Sequence, residues 1–172
     1  CYDQALELDP NNVDFMFNLS QCYLTNFPAV QRIRNWTKPR LYKEAMKLSS
    51  KAVKLNPADF ELTHDYAMNL FLAENFEAKA DWKEAIAAWR EVRKIARNDT
   101  ERMNAWMYEG RAWLGKRKFS EAQDCFQEAL KLKPDSEAAK NLIEETKKNM
   151  IEKAPRTPQK TQKTVGFSGG KQ

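Results

Sequence analysis

The 172-residue sequence has little of several residue types, and each shortage narrows the class of protein. Only 5 glycines and 7 prolines occur, and Ala, Leu, Glu and Lys are abundant, so helix is favoured over sheet. No apolar run approaches the roughly 20 residues that span a bilayer, so we expect no transmembrane segment. The three cysteines lie far apart and lack a C-x-x-C spacing, which argues against a disulfide framework and against a zinc site.

Residues that carry catalytic chemistry are also scarce. His64 is the sole histidine, and no second ligand follows it at a metal-binding spacing. The carboxylates are interspersed with Lys and Arg, as on solvated helix faces, and no nucleophile has an evident oriented base. We therefore expect this chain not to be an enzyme and to need neither a metal nor a cofactor. Its function should lie on a surface.

The net charge of +5 belongs to one end of the sequence. All 24 acidic residues and 24 of the 29 basic residues lie at or before Glu152. The other cations are Lys153, Arg156, Lys160, Lys163 and Lys171. With little to bury, residues 153–172 are predicted to form a basic disordered tail, a weaker indication of nucleic-acid binding than a basic folded face. The cysteine pattern favours the cytoplasm and leaves a periplasmic or other extracytoplasmic location open.

Three segments of the sequence are similar to one another. They are EAMKLSSKAVKLNP (44–57), EAIAAWREVRKIAR (84–97) and EAQDCFQEALKLKP (121–134), and CYDQALELDP (1–10) matches their last ten positions. The segment ends at Pro10, Pro57, Arg97 and Pro134 are spaced by 47, 40 and 37 residues. Against a period of about 34 residues, these spacings leave excesses of 13, 6 and 3. The sequence therefore predicts an array of helical repeats with three insertions, the largest within residues 26–36.

The last of these repeats has a recognisable pattern. It contains Trp106, Gly110, Trp113, Phe119, Ala122, Phe126, Ala129 and Pro134. The pattern resembles the tetratricopeptide repeat, in which a W-x2-L-G-x2-Y helix is followed by an A-x3-F-x2-A helix that closes at proline. Glu109 stands where the family has Leu. The resemblance covers about residues 1–134 and implies an all-α fold: a right-handed α-α superhelix, or solenoid, of helix-turn-helix units.

The resemblance also predicts how the chain is divided. Residues 1–152 would form the array, with the end of a truncated repeat at 1–10, repeats at 13–59, 60–99 and 103–136, and a polar capping helix at 137–152. The 13-residue insertion lies in the first full repeat and the 6-residue insertion in the second. Asn12, Asp59, Asp99 and Asp135 are placed to cap the helices that follow them. Since the sequence opens inside a helical pattern, we expect it to be the C-terminal part of a larger protein.

In proteins that this sequence resembles, the first helices of successive repeats line a concave groove that binds a peptide or a partner helix. The groove-facing positions carried over from the family are Phe17, Asn18, Gln21, His64, Asp65, Met68, Asn104, Tyr108 and Arg111. One subclass grips the carboxylate tail of heat-shock chaperones with Lys, Asn and Arg at set positions. Here those positions hold Phe17, Gln21, Asp65, Asn104 and Tyr108. Because none of these is a cation, a chaperone-tail ligand is not expected.

The segment Asn26–Trp36 allows two interpretations. Arg32, Arg34, Trp36, Lys38 and Arg40 could form a second surface that, with the basic tail, associates with nucleic acid or another anionic surface. Alternatively, Trp36 packs onto Tyr23 or Tyr42 as a structural plug, with Ile33 folded back beside it. We favour the plug. A third alternative makes the whole chain the docking domain of an enzyme whose catalytic part lies upstream.

Overall fold

The computed structural model describes residues 2–152, and in that range every regular element is a helix. The all-α expectation is therefore confirmed, and the fold is an α-α helical repeat solenoid. Cys1 and the segment 153–172, predicted as a basic tail, lie outside the described residues. The helices are α1 (Tyr2–Leu8), α2 (Val13–Thr25), α3 (Phe27–Arg34), α4 (Lys38–Leu55), α5 (Phe60–Asn69), α6 (Trp82–Ile95), α7 (Asp99–Gly115), α8 (Phe119–Leu132) and α9 (Glu137–Glu152). A 3₁₀ segment, Leu70–Phe76, continues α5.

The helices pack in pairs, α2 against α4, α5 against α6 and α7 against α8, and α9 packs on α8. Ala45, Ala85 and Ala122 on the second helix of each pair are fully buried, and these small side chains let the paired helices approach closely. Trp89 and Phe126 are also fully buried and fill the space that the alanines leave. The residues that recur at equivalent positions of the repeats are thus the residues that pack in the core.

The helix ends follow local signals in the sequence. Helices α1 and α4 stop at Leu8 and Leu55, two residues before a proline that disfavours helix in the residue preceding it. The side chains of Asn12 and Asp59 accept hydrogen bonds from backbone N–H groups three residues on, at 3.0 and 3.1 Å. These two predicted N-caps are confirmed.

The other two predicted caps are wrong by one residue. Asn98, not Asp99, accepts the capping hydrogen bond at the start of α7 (2.9 Å). At the start of α9, the hydroxyl of Ser136, not the carboxylate of Asp135, accepts the backbone N–H of the third residue on (3.4 Å). A cap needs an extended backbone immediately before the helix, and Asp99 already lies in the first turn, where its charge favours the helix dipole.

The largest insertion forms helix α3, which begins with Pro28 in its first turn and buries Val30. The helix ends at Arg34, and the left-handed backbone of the next residue, Asn35 (φ 51°), turns the chain into α4. Trp36 then packs edge-to-face against Tyr23, with ring centroids 5.6 Å apart, as the plug interpretation predicts. The expectation for Ile33 is wrong, because this side chain is 84% exposed.

Candidate partner-binding surfaces

The predicted groove residues lie on the first helices α2, α5 and α7, and a hydrogen-bonded carboxylate joins the first two. Gln21 Nε2 on α2 donates to Asp65 Oδ2 on α5 at 2.6 Å, and Asn69 Nδ2 donates to the same oxygen at 2.8 Å. Burial raises the pKa of Asp65, and the hydrogen bonds from Asn69 and Gln21 oppose that rise. The Asp65 carboxylate is therefore held in one orientation at a cost in desolvation.

Aromatic contacts join α5 to α7 through a residue of α6. The ring of Tyr108 stacks on buried Trp89, with centroids 4.6 Å apart, and His64 meets the same indole edge-on at 5.5 Å. The guanidinium of Arg111 lies 5.1 Å from the Tyr108 centroid. Trp89 was not among the predicted groove residues, because its position in the repeat indicated only a core aromatic. We call the connected residues Gln21, Asp65, His64, Tyr108 and Arg111 the groove strip.

The remaining predicted groove residues are less closely tied to the strip. Asn18 Nδ2 donates to the Asp14 carbonyl of its own helix at 2.8 Å. Met68 is half-buried against the core around Trp89. Phe17 is half-buried, and Asn104 is exposed. The structure therefore brings five of the nine predicted residues into one connected strip, and their role in binding stays a prediction.

The predicted second surface makes several contacts with its own chain. The guanidinium groups of Arg34 and Arg40 lie 4.9 and 4.7 Å from the Trp36 ring centroid. Arg34 also forms an ion pair with Asp3 of α1. Since Trp36 is packed on Tyr23 and flanked by two cations, its ring is not a free platform for stacking on a base. The other two members are Lys38, which pairs with Glu77 at 3.1 Å, and Arg32, which is exposed.

A buried ionic cluster joins Glu109 of α7 to Arg90 and Arg93 of α6. It was not predicted from the sequence. Glu109 is only 2% exposed, and its two oxygens lie 2.8 Å from Arg90 Nε and 3.2 Å from Arg93 Nη2. The Arg93 guanidinium covers the Trp106 ring, 3.4 Å from its centroid. Burial, and then the charge of Glu109, raises the pKa of the neighbouring Cys125 to about 12. The signal in the sequence was Glu109 itself, an acid where the family pattern has Leu.

Within residues 2–152, no group of three or more His, Cys, Asp or Glu side chains is arranged to hold a metal ion. Among the same residues, no helix is both long enough and apolar enough to cross a membrane.

Comparison with known proteins identifies the repeats. Two family models, both described as tetratricopeptide repeat, match residues 1–36 and 103–136. The chain is a tetratricopeptide repeat protein. Proteins of this family are generally non-enzymatic scaffolds that bind other proteins, so this chain is, at that level, a protein-interaction module. A search of curated protein sequences gives no match.

Solved structures with the same fold include several tetratricopeptide proteins. MamA is 18% identical, with a TM-score of 0.63 over 87% of this chain and 75% of that chain. The Pseudomonas aeruginosa protein pilF is 18% identical, with a TM-score of 0.60 over 88% of this chain and 59% of that chain. The first repeat domain of Spaghetti (RPAP3), bound to the HSP90 peptide SRMEEVD, is 16% identical, with a TM-score of 0.51 over 78% and 95%. At these identities the likeness establishes the fold alone.

Proposed function

We propose that this tetratricopeptide array binds an extended segment of a protein partner along the first helices α2, α5 and α7. The observation that carries the proposal is the continuity of the groove strip. A hydrogen bond between Gln21 and Asp65 joins α2 to α5, and the contacts of His64 and Tyr108 with Trp89 join α5 to α7. An extended peptide that follows the strip meets all three repeats.

The chemistry of the strip suits a peptide backbone. Asp65 accepts hydrogen bonds, so it can receive a backbone N–H of the bound segment. Tyr108 offers an aromatic face, and Arg111 beside it offers donors to a carbonyl or a carboxylate. A partly buried carboxylate with a raised pKa destabilises the fold at neutral pH. A residue kept at such a cost is a candidate for function.

The same chemistry argues against a chaperone tail as the ligand. The HSP90 peptide bound by the Spaghetti (RPAP3) domain is SRMEEVD, which is rich in carboxylates. In the strip, Asp65 would repel such a peptide, and Arg111 is the only cation among the five strip residues. We expect the synthetic peptide SRMEEVD to bind this chain no better than its scrambled counterpart in a calorimetric titration.

The test of the proposed function is affinity capture with the full chain, followed by quantitative mass spectrometry. We expect the double variant Tyr108→Ala and Arg111→Ala to lose partners that the wild type retains. A control double variant, Lys140→Ala and Glu144→Ala, alters exposed residues of α9 and should capture the same partners as the wild type. If the strip variant and the control captured the same partners, the proposal that the groove binds them would be wrong.

A single substitution separates binding from folding. Asp65→Asn keeps an oxygen that accepts the hydrogen bonds of Gln21 and Asn69 but removes the charge. Because the raised pKa means that ionised Asp65 costs stability as the pH rises through that pKa, we expect the variant to be at least as stable as the wild type at pH 7. Partner capture should nevertheless fall. A variant that captures the same partners would exclude the Asp65 charge from recognition.

A further inference from the structure

The outward face of helix α4 carries a line of five cations. They recur every three or four residues and are all exposed: Arg40, Lys43, Lys47, Lys51 and Lys54. At about 100° per residue, they project from the side of α4 opposite to the five residues that this helix buries. We call these five cations the basic stripe. With a rise of about 1.5 Å per residue, the stripe is about 21 Å long.

The array does not neutralise the charge of the basic stripe. Among the ion pairs of residues 2–152, none includes a member of the stripe. Arg40 lies 4.7 Å from the Trp36 ring centroid, and Lys51 Nζ donates to the Pro10 carbonyl at 2.6 Å; both contacts leave the charge in place. Residues 27–55 hold eight of the 24 Lys and Arg up to Glu152 but only one of the 24 acids. The positive charge of the array is therefore concentrated on α3 and α4.

The fold does not require cations at the stripe positions. The four lysines of the stripe correspond to Lys83, Ala87, Glu91 and Lys94 of α6 and to Ser120, Asp124, Glu128 and Lys131 of α8. Those helices occupy the same place in their repeats with net charges of +1 and −1 at these positions, whereas α4 has +4. Like charges three or four residues apart destabilise a helix. The stripe therefore has a cost that packing does not explain, and a bound anion would offset it.

Carboxylates flank the basic stripe on both sides. On one side, Glu7 and Glu44 line a cleft together with a lysine of the stripe. On the other side, Glu84 and Glu91 line a cleft together with another of its lysines. A flat anionic membrane placed on the stripe would approach these carboxylates, which repel it. The stripe therefore fits a narrow, linear polyanion.

The basic stripe also lacks an apolar centre. Protein–protein interfaces usually have aromatic or apolar anchors in their middle. Among the large apolar side chains of α4, Leu55 is the exposed one, and it lies beyond the last cation of the stripe. A phosphate backbone, by contrast, is bound through its charge. Four of the five cations are lysines, which act as point charges and not as forks for paired oxygens.

We propose that the basic stripe binds the sugar-phosphate backbone of a single nucleic-acid strand. The phosphates lie along the outward face of α4, and the cations donate hydrogen bonds to their oxygens. The bases face away from α4, so binding does not depend on base sequence. Of the second surface predicted from the sequence, only Arg40 belongs to this site. The site is separate from the groove strip on α2, α5 and α7, so both can be occupied together.

The test is fluorescence anisotropy with a labelled oligothymidylate of about 15 nucleotides and the full-length chain. Because the cations beyond Glu152 also attract the probe, the parent chain for every comparison carries Gln at positions 153, 156, 160, 163 and 171. We expect the parent to bind with a Kd of about 10⁻⁶–10⁻⁴ M. Five phosphate contacts predict a slope of about −3.5 for the logarithm of the binding constant against the logarithm of the salt concentration.

Matched variants separate the stripe from general charge. The triple variant Lys43→Gln, Lys47→Gln and Lys54→Gln should reduce the slope to about −1.4 and weaken binding at least tenfold at about 0.1 M salt. The control triple variant Lys83→Gln, Lys94→Gln and Lys131→Gln makes the same change in net charge at corresponding positions of α6 and α8. It should keep the slope of the parent. Far-ultraviolet circular dichroism should show the same helix content in all three chains.

Two further probes compare other anions with nucleic acid. Polyglutamate and vesicles that contain phosphatidylserine are titrated with the same parent chain, and we expect both to bind more weakly than oligothymidylate. Equal slopes for the stripe variant and the control would overturn the proposal. Tighter binding of polyglutamate or of the vesicles would overturn it as well, and would assign the stripe to an acidic protein segment or to a membrane.

Discussion

The buried carboxylate of Glu109 gives the sharpest test of the energetics of this array. Glu109 occupies a family Leu position, and Arg90 and Arg93 compensate its charge. Replacing a buried ion pair with an apolar residue is often neutral, because desolvation offsets the attraction between the charges. The side chains of Arg90 and Arg93 are 49% and 24% exposed, so both can turn to water. We expect Glu109→Leu to stay within about 1 kcal/mol of the wild type in free energy of unfolding.

Removing the cations should have a much larger effect than removing the acid. In the double variant Arg90→Met and Arg93→Met, the buried carboxyl group of Glu109 loses both of its cationic partners. An uncompensated buried charge costs about 3–5 kcal/mol, and we take about 3 kcal/mol because both arginine side chains, which cover Glu109, are partly exposed to water. With an m-value of about 2 kcal/mol per molar urea, the unfolding midpoint should fall by about 1.5 M.

The triple variant, which combines Glu109→Leu with the two Arg→Met changes, completes the cycle. It should recover to within about 1 kcal/mol of the wild type, a coupling of about 2–3 kcal/mol between Glu109 and the arginines. The assay is urea unfolding followed by far-ultraviolet circular dichroism. Arg102→Met, which breaks the exposed pair with Asp99, is the control and should change stability by less than about 1 kcal/mol. A loss of 3 kcal/mol in Glu109→Leu alone would refute the reasoning.

Three further outcomes follow from single groups. Gly110→Ala should lower the free energy of unfolding by about 1–2 kcal/mol, because its Cβ would lie 2.4 Å from Cε1 of buried Phe126. Burial raises the pKa of Tyr23 and Tyr42 from 10.0 to about 12. Their contribution to stability is therefore complete below pH 10 and is lost as the pH rises through 12, which an absorbance titration at alkaline pH with circular dichroism should show. Burial raises the pKa of Cys125 to about 12, so in a Cys1→Ser variant a thiol reagent at pH 8 should modify half-buried Cys22 first and Cys125 only on unfolding.

Each of these outcomes has a contrary result. Ser120→Ala, an exposed change at the start of α8, controls for the gain in helix propensity in Gly110→Ala, and equal stability of the two variants would mean that Phe126 moves freely. Unfolding that is complete below pH 10 would contradict the tyrosine assignment. Modification of Cys125 at the rate of Cys22 in the native protein would show that α8 opens.

The periodic parts of the fold could be predicted from the sequence because they repeat. Small residues recur at Ala45, Ala85 and Ala122, and each is fully buried where two helices cross. Leu8 and Leu55 end their helices because a proline follows two residues later. In such an array the same residue type recurs at equivalent positions of successive repeats. Agreement between the repeats therefore identifies the positions that pack in the core.

The unrepeated parts could not be predicted in the same way. The segment that forms α3 has no counterpart in the other repeats, and its single buried side chain within the helix, Val30, gives no periodic signal. The partners of Glu109 lie on the preceding helix, at positions where the other repeats do not carry paired arginines. The groove strip depends on Trp89, which lies on α6, the second helix of its repeat. Trp89 contacts the strip through ring packing with His64 and Tyr108.

The attachment of α1 makes the two ends of the array unequal. Helix α1 has no buried residue of its own, and Asp3 holds it through Arg34 of α3 and the Tyr23 hydroxyl of α2 (3.0 Å). Helix α9, by contrast, buries Ala139, Ile143 and Thr146 against its neighbour. In native-state hydrogen exchange, the amides of α1 should therefore exchange through a local opening of low free energy, while those of the inner turns of α9 should wait for a larger cooperative unit to unfold. The insertion helix α3 thus helps to hold α1 in place through Arg34. Loss of that contact would expose the face of α2 on which α1 packs.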